Sequence, residues 1–488
     1  MASDQELLLY KEIISRGCCQ RCALRYLCCD KTLISFDFPS TSLVNFGYMS
    51  PMEEFEMERP SKKKKPNACT VCLGLFQDPL IEEIMTHEDI SKIAEYKCQL
   101  YTVHITFPAC VLIRDHSMKI HLQRMFPETF NVEAVTKINH FWRQCVEHKL
   151  SKLLGKKCNP RTSKLTLHFY TSYQLENEEV AFVQEFVKDN LVHPSSRHSV
   201  ATLLQSVPDE KFIQMVNIPP KVPFYSLDLA EFKVFSESIH LIGNYCKYSR
   251  KLLQMQIPDD LADYTAGDSV ENIIVRAVKQ VVGEIKQVSF QASSFDDPSV
   301  RVLGNGKTFH LQLFDPKFEE IPRSVCQKIE KIINKTKVVR VTNLQQNNKK
   351  DISLAMDSEN LSPRLFKALC LIQDFKNLDQ CINAVNMYPN LMVNQKLPIR
   401  MLHQNRRYDL RKKKIYFMKA TKLRDNLIEL ELCIENGLNI REFIDGDLGR
   451  TSPSVSEIMR AKAGILALDV IDFRTTLPCA AEEGEVVI

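Results

Sequence analysis

Long apolar runs are missing from the sequence, which has no stretch of about 18 consecutive hydrophobic residues and so no candidate membrane span. The opening residues MASDQELLLYKE carry acids where a signal peptide needs a basic region and a long apolar stretch. Fixed-period repeats and low-complexity tracts are also missing, which speaks against fibrous and repeat architectures. We therefore expect an intracellular protein, of the nucleus or cytoplasm, without a membrane partner.

Neither sign of charge dominates the chain. The net charge is +4 over 488 residues, with 44% hydrophobic and 25% charged residues, as in ordinary globular proteins. This charge permits an RNA partner without requiring one, because local clustering matters more than the sum. The length predicts about two to four domains. Without a secretory signal, the 17 cysteines are expected to be reduced thiols, some of them bound to metal.

Two C-x-x-C pairs stand near the N-terminus, Cys19 with Cys22 and Cys69 with Cys72. Two such pairs supply the four thiolates of a closed tetrahedral zinc site, which leaves no position for water and is therefore structural. Redox-active or unligated thiols remain the alternative. Other cysteines that could replace a ligand are Cys18, Cys28 and Cys29.

Hydrophobic patterns predict an α+β fold in three parts: a zinc-stapled module over 1–79, a mixed accessory domain over 80–257 and a second α+β domain over 258–488. Apolar residues at period two predict strands in SKLTLHFYTS, EIKQVSFQAS, KTFHLQLF, DISLAM, KKIYFM and NLIELELCIE. Longer amphipathic patterns predict helices in VEAVTKINHFWRQCVEHKLSKLL, SVENIIVRAVKQVVG and PRLFKALCLIQDF. The Asn305-Gly306 pair suits a tight hairpin turn.

A basic segment surrounds Tyr408. It consists of Arg406, Arg407, Arg411, Lys412, Lys413 and Lys414. Such a cluster can contact phosphates and stack on unpaired bases, which predicts salt-sensitive RNA binding. A solvated basic face explains the spacing equally well.

Six segments, in order, resemble the tRNA pseudouridine synthases of archaea and eukaryotes that modify T-arm uridines 54 and 55. The segments are GCCQRC, NACTVCLG, GNYCKYSR, DDPSVRVLGNGKTFHLQL, LPIRMLHQNRRYDLRKKKIYFM and GLNIREFIDGDLGRTSPSVSEIM. The resemblance implies a THUMP-type accessory domain, a mixed-sheet catalytic domain and a monomer that binds tRNA. It also implies structural zinc and no organic cofactor.

The same resemblance assigns roles to individual residues. Asp297 matches the catalytic aspartate, and Arg441 matches the basic residue placed against it. An ion pair between them would keep the carboxylate ionised and oriented. The residues expected to contact RNA are Arg301, Arg406, Arg407, Arg411, Lys247 and Arg250.

The chain departs from the family pattern at four positions. Phe295 stands where an arginine is usual, Ser299 where a second aspartate is usual, and Asn439 where an aromatic residue is common. Ile352, on the predicted strand DISLAM, falls where an active-site tyrosine is expected. Two hypotheses follow: a divergent but active isomerase that uses Asp297 and Arg441, and a catalytically weakened RNA-binding paralogue that keeps the scaffold.

Overall fold

The structure, a computed structural model, comprises two compact units that divide at residues 237 and 238. The residues that it describes are 2–29, 37, 39–58, 68–181, 183, 196–255, 268–283, 285–294, 297–388, 390–404 and 410–473. Each unit combines helices with a β-sheet of its own, which confirms the α+β class. Over these ranges, every helix is too short or too polar to cross a membrane.

The first unit begins with short helices and then builds a small sheet. Its helices are α1 (Asp4–Ser15), α2 (Gln20–Tyr26), α3 (Pro39–Asn45), α4 (Pro51–Glu58), α5 (Asp78–Thr86), α6 (Cys110–Met125), α7 (Ile138–Leu154), α8 (Glu176–Val180), α9 (Arg197–Ser206) and α10 (Asp209–Met215). Its strands are β1 (Leu100–Thr106), β2 (Lys157–Cys158), β3 (Leu165–Ser172) and β4 (Asp228–Ser236).

The first sheet has the strand order β2-β1-β3-β4, with β1 parallel to β2 and β3, and β4 antiparallel to β3. Leu165, Leu167 and Phe169 alternate on the buried face of β3, which is the period-two pattern that predicted this strand. One hydrophobic core extends from Leu9 to Phe232 and includes both cysteine pairs. The three-part division of the chain therefore stays a prediction beside the two units seen here.

A buried ion pair joins α2 to α6. The fully buried guanidinium of Arg25 donates to the carboxylate of Asp115, as does the Tyr26 hydroxyl at 2.7 Å, and Lys119 Nζ lies 2.9 Å away. Burial would raise the pKa of Asp115, but the charges of Arg25 and Lys119 outweigh burial and lower the pKa to about 2. The helix that carries Cys22 is thereby fixed to the body of the unit.

The second unit is built on a larger sheet. Its strands are β5 (Ile239–Lys247), β6 (Gln287–Ala292), β7 (Arg301–Phe314), β8 (Val339–Gln346), β9 (Arg364–Gln373), β10 (Leu391–Gln395), β11 (Arg411–Arg424), β12 (Leu427–Ile434), β13 (Thr451–Ser452) and β14 (Lys462–Phe473). Its helices are α11 (Val270–Val282), α12 (Arg323–Asn334), α13 (Lys349–Leu361), α14 (Leu378–Asn386), α15 (Ile440–Asp445) and α16 (Val455–Met459).

The second sheet has the order β13-β10-β11-β12-β9-β14-β7-β5-β8, and β6 pairs with β7. β7 and β14 run parallel, with Arg301 opposite Asp469, whereas the other strand pairs described in this sheet are antiparallel. α11 and α12 pack in the core on one side of this junction, and α14, α15 and α16 pack in the core on the other. The mixed sheet confirms the expectation for this half of the chain.

Two sequence predictions in this unit are wrong. The segment DISLAM lies in helix α13, because Asn348 caps the first turn and Ile352 and Met356, one turn apart, are buried on one face. Conversely, PRLFKALCLIQDF contains strand β9, which pairs with β12 and β14 and buries alternate side chains. Long-range pairing outweighs the helical reading of this short apolar run.

The Asn305-Gly306 pair lies in a bulge of β7 and not in a hairpin turn. Tyr245 pairs with Lys307 and Lys247 pairs with Val302, so residues 303–306 bulge out between these two pairings. Gly304 has a φ of +61°, and a Cβ atom there would lie 1.9 Å from the Ile471 carbonyl oxygen. Only glycine fits this approach of β7 to β14.

Candidate active site and metal centre

Asp297 lies in the turn that leads from β6 into β7, beside the parallel pairing of β7 with β14. The N–H of Val300 donates to the Asp297 carbonyl at 3.0 Å and closes this turn. Ser299 donates twice to Asp297 Oδ1, from its N–H at 3.0 Å and from its hydroxyl at 2.7 Å. The local backbone therefore orients the carboxylate.

Arg441 approaches Asp297 from α15. The apolar spacing of Ile440, Phe443 and Ile444 buries one face of this short helix, and Gly446 ends it with a left-handed φ of +90°. Arg441 Nη2 donates to Ser299 Oγ at 2.5 Å, while its Nε lies 3.7 Å from Asp297 Oδ2. The structure thus brings the two predicted residues together, with Ser299 between them.

The pKa of the Asp297 carboxyl lies below its ordinary value of 3.8. Partial burial opposes this shift, but the two hydrogen bonds from Ser299 and the charges of Arg441 and Arg400 outweigh burial. The carboxylate is therefore ionised at neutral pH. An ionised, oriented carboxylate can act as a nucleophile or as a base.

A cavity of about 660 Å³ opens beside Asp297. Its described lining combines apolar side chains with charged ones, and Phe366 from β9 is the aromatic residue among them. The charged side chains include Asp297, Arg400, Arg411, Arg441 and Glu442. The volume falls within the range of about 300–1,000 Å³ that is typical of small-molecule sites.

Sequence reasoning missed Arg400, which lies in a 3₁₀ helix after β10. Arg400 Nε donates to Glu442 Oε1 at 2.6 Å, and Glu442 is buried next to Arg441 on α15. The charge of Arg400 also helps to lower the pKa of Asp297. Arg400 belongs to LPIRMLHQNRRYDLRKKKIYFM, one of the segments that carry the family resemblance, but no spacing rule distinguishes it from its neighbours.

Three residues expected to contact RNA make hydrogen bonds within the protein near the Asp297 turn. Lys247 is 2% exposed, and its Nζ donates to the carbonyl oxygens of Pro298 at 2.6 Å and Leu252 at 3.0 Å. Arg250 and Arg301 both donate to the carboxylate of Asp469 on β14. Their assignment to RNA stays a prediction.

The basic segment is described only in part. Arg411, at the start of β11, is exposed and lines the cavity. Arg406 and Arg407 lie outside the described residues, as does Phe295. The predicted RNA contact of this segment therefore stays a prediction.

Ile352 does not occupy the place of an active-site aromatic residue, because it is 1% exposed inside α13 and does not line the cavity. Phe366 lies in the cavity wall instead. The wrong position expected for Ile352 follows from the two wrong predictions, a strand at DISLAM and a helix at the segment that forms β9. Asn439 is the N-cap residue before α15, and its N–H donates to Gln395 Oε1 at 2.9 Å.

The first unit brings together the four predicted cysteine ligands, whose sulfur atoms all lie within 4.8 Å of one another. Cys19 Sγ lies 3.8 Å from Cys72 Sγ, and Cys22 Sγ lies 3.7 Å from Cys69 Sγ. Tetrahedral Zn–S bonds of about 2.3 Å place sulfurs about 3.8 Å apart. The four thiols therefore fit a zinc ion.

Backbone donors also favour thiolates at this centre. Cys19 is the N-cap residue before α2, and its sulfur accepts from the Cys22 N–H at 3.4 Å. Cys69 Sγ accepts from the Cys19 N–H at 3.2 Å. Cys22, Cys69 and Cys72 are buried, so the centre has little access to substrate. The geometry suits a structural metal ion.

Comparison with known proteins places most of the chain in one family. A family model described as "Pus10, C-terminal" matches residues 240–473, and one described as "Eukaryotic Pus10, N-terminal" matches residues 69–234. The chain belongs to the Pus10 family. The boundary between the two family models coincides with the boundary between the two structural units.

Relatives within the Pus10 family are similar over most of the chain. The putative tRNA pseudouridine synthase Pus10 of Drosophila melanogaster is 26% identical over 502 residues, covering 96% of this chain and 96% of that protein. The human tRNA pseudouridine synthase Pus10 is 25% identical, covering 87% and 81%. A solved Cbf5-Nop10-Gar1 complex overlaps 46% of this chain and 47% of its own chain at 12% identity, with a TM-score of 0.25, too low for an argument about fold.

Proposed function

We propose that the chain is a tRNA pseudouridine synthase, an isomerase that converts uridine to pseudouridine at position 55 of the T arm, with position 54 as a second target. Family membership and the names of the relatives support tRNA pseudouridylation. The observation that carries the proposal is the Asp297–Ser299–Arg441 cluster at the edge of a cavity. The T-arm position rests on the sequence resemblance.

Asp297 performs the chemical step. Its carboxylate either attacks the anomeric carbon of the target uridine or assists removal of a sugar proton, after which the base detaches, rotates and rejoins through carbon. Ser299 and Arg441 keep this carboxylate ionised and oriented, so that the site needs little reorganisation when the sugar binds. The reaction needs no organic cofactor.

Phe366 receives the extruded base. A stacked base hides the reacting atoms, so the nucleotide must be flipped out of the helix at a cost of a few kcal/mol. Stacking on an aromatic ring offsets this cost by about 1–3 kcal/mol per base. Phe366 lies in the cavity wall, where it can provide that contact.

The remaining parts bind and position tRNA. The four-cysteine centre binds zinc through Cys19, Cys22, Cys69 and Cys72, and the metal stabilises the first unit without taking part in the chemistry. The 80–257 region acts as a THUMP-like RNA-binding domain. Arg406, Arg407 and Arg411 contact phosphates of the tRNA. Of these three, Arg411 lines the cavity.

The deciding experiment maps pseudouridine in T-arm transcripts after single-turnover reactions with wild-type protein and with Asp297→Asn. We expect product at one or two T-arm uridines with wild-type protein and none with Asp297→Asn, while both bind the RNA with similar affinity. Equal activity in the two would exclude Asp297 as the catalytic group. Tight binding without product in either would establish the RNA-binding paralogue.

A further inference from the structure

Three side chains of residues 247–254 hold the backbone on both sides of Asp297. Lys247 Nζ donates to the Pro298 carbonyl at 2.6 Å, and Arg250 Nη1 donates to the Ser299 carbonyl at 3.1 Å. On the other side, Gln254 Nε2 donates to the Ser294 carbonyl at 2.8 Å. The acceptors are backbone oxygens, so these contacts fix the path of the chain through the turn.

The burial of Lys247 limits what its ammonium group can contact. Its side chain is almost completely enclosed, with 2% of the residue exposed, and it also donates to the Leu252 carbonyl at 3.0 Å. A buried ammonium group is tolerated only when it is hydrogen-bonded, because desolvation is costly. To reach an RNA phosphate, Lys247 would have to leave these carbonyls.

Arg250 connects the same turn to the last strand of the sheet. Its Nη1 atom donates to the carbonyl of Leu468 at 2.6 Å as well as to Ser299, and its Nη2 atom donates to Asp469 Oδ1 at 2.5 Å. One planar guanidinium therefore binds the Asp297 turn and β14 together. Arg301 reinforces the contact by donating to both oxygens of Asp469.

We propose that Lys247 and Arg250 are positioning residues, which hold the turn at 297–299 so that the Asp297 carboxylate stays aligned with the catalytic cavity. This inference rests on the proposed function and replaces the RNA contact expected for both residues. A misplacement of about 1 Å at a catalytic group can cost about 100-fold in rate. Removal of either anchor should therefore slow the chemical step and leave RNA affinity almost unchanged.

The test compares Lys247→Met, Arg250→Ala and Arg250→Lys with wild-type protein in single-turnover reactions at saturating enzyme, with RNA affinity measured at several salt concentrations. We expect Lys247→Met and Arg250→Ala to lower the rate about 10–100-fold. Arg250→Lys should recover part of the rate, because an ammonium group can still reach one of the carbonyls. Affinity and its salt dependence should match those of the wild-type protein.

The opposite pattern would overturn the proposal. In that case the rate at saturation is unchanged and RNA binding is weaker. The salt dependence of the affinity then has a slope smaller by about 0.7–0.9 for each phosphate that the variant no longer neutralises. Arg340→Lys is the matched control, because the exposed Arg340 also donates to a carbonyl, that of Gly304 at 2.8 Å, away from the turn. Its rate should stay at the wild-type level.

Thermal unfolding of each variant separates positioning from general destabilisation. If Lys247→Met does not fold, the partly exposed Arg250 decides the question by itself, and a folded Arg250→Ala protein with the wild-type rate would overturn the proposal. Wild-type protein without product, or Asp297→Asn with the wild-type rate, would instead refute the proposed function and the positioning role with it.

Discussion

Arg441 Nη2 lies 2.5 Å from the Ser299 hydroxyl oxygen, so the arginine reaches the Asp297 carboxylate mainly through that hydroxyl. A direct ion pair exists as well, but its atoms are 3.7 Å apart, beyond hydrogen-bond distance. The family resemblance marks position 299 as a departure from an aspartate. The structure shows that serine can both donate to Asp297 and accept from Arg441 there.

Replacing Ser299 with alanine should raise the pKa of Asp297 towards 3.8, because the hydroxyl that donates to the carboxylate and links it to Arg441 is removed. The role proposed for Asp297 requires the ionised carboxylate, so the acid limb of the single-turnover pH profile should move to higher pH. At pH 7 we expect the rate to fall about tenfold, because a charge-assisted hydrogen bond is removed. Ser299→Thr keeps the hydroxyl and should retain most activity. An unchanged pH profile in Ser299→Ala would show that the Ser299 hydroxyl does not lower the pKa of Asp297.

Phe366→Leu should weaken stacking on the flipped base and slow isomerisation. A reduction of about 1–3 kcal/mol in stacking corresponds to about 5- to 150-fold, measured as the rate at limiting RNA concentration. Phe366→Tyr keeps the aromatic face and serves as the matched variant. If leucine supports the same rate as tyrosine, another residue receives the base.

Cys69→Ser combined with Cys72→Ser should remove the metal and lower the thermal stability of the first unit, because half of the thiolates are removed. Metal content by mass spectrometry and unfolding temperature are the measurements. Cys28→Ser is the control, because the exposed Cys28 lies outside the cluster. Full zinc content in the double variant would point to substitute ligands.

Substitution with glutamine at Arg406, Arg407 and Arg411 should weaken tRNA binding and its dependence on salt. The slope of log affinity against log salt concentration should become smaller by about 0.7–0.9 for each phosphate that is no longer neutralised. Glutamine at the exposed Lys328, Lys331 and Lys335, on α12 and directly after it, changes the net charge equally and should leave the slope unchanged. Equal slopes in both triple variants would show that the basic segment is a solvated face.

Asp115→Asn should lower the free energy of unfolding by about 3–5 kcal/mol, because it leaves the buried guanidinium of Arg25 without its counter-charge. Since the pKa of Asp115 is depressed to about 2, its contribution is present above the unfolded value of 3.8 and disappears as pH falls towards 2. Urea unfolding at neutral and acidic pH measures both effects. Asp89→Asn, which breaks an exposed pair with Lys92, should change nothing measurable.

Local patterns predicted those elements whose burial agrees with one period. β3 and β12 alternate along most of their length, and α11 buries one helical face, so sequence alone identified all three. The sequence predicts a helix at β9 and a strand at α13, because short apolar runs fit both the helical and the strand period. For β9, the pairing with β12 and β14 decides between the two.

The candidate site was predictable only where the resemblance supplied its residues. Asp297 and Arg441 lie far apart in sequence, and no local pattern states that they meet. Phe366 and Arg400 were missed because an aromatic residue in a strand and an arginine after one are ordinary features by themselves. The anchoring role of Lys247 depends on its burial, which the basic character of GNYCKYSR does not indicate.

The parallel pairing of β7 with β14 also determines when the site can form during synthesis. Arg250 and Asp469 are 219 positions apart in the sequence, and through Arg250 the Asp297 turn is joined to β14. A nascent chain that has emerged only as far as α15 contains Asp297 and Arg441 but lacks β14, the strand to which the Asp297 turn is joined. Such long-range closure is slow, so catalytic competence should appear as a late folding event, after the helices and hairpins have formed.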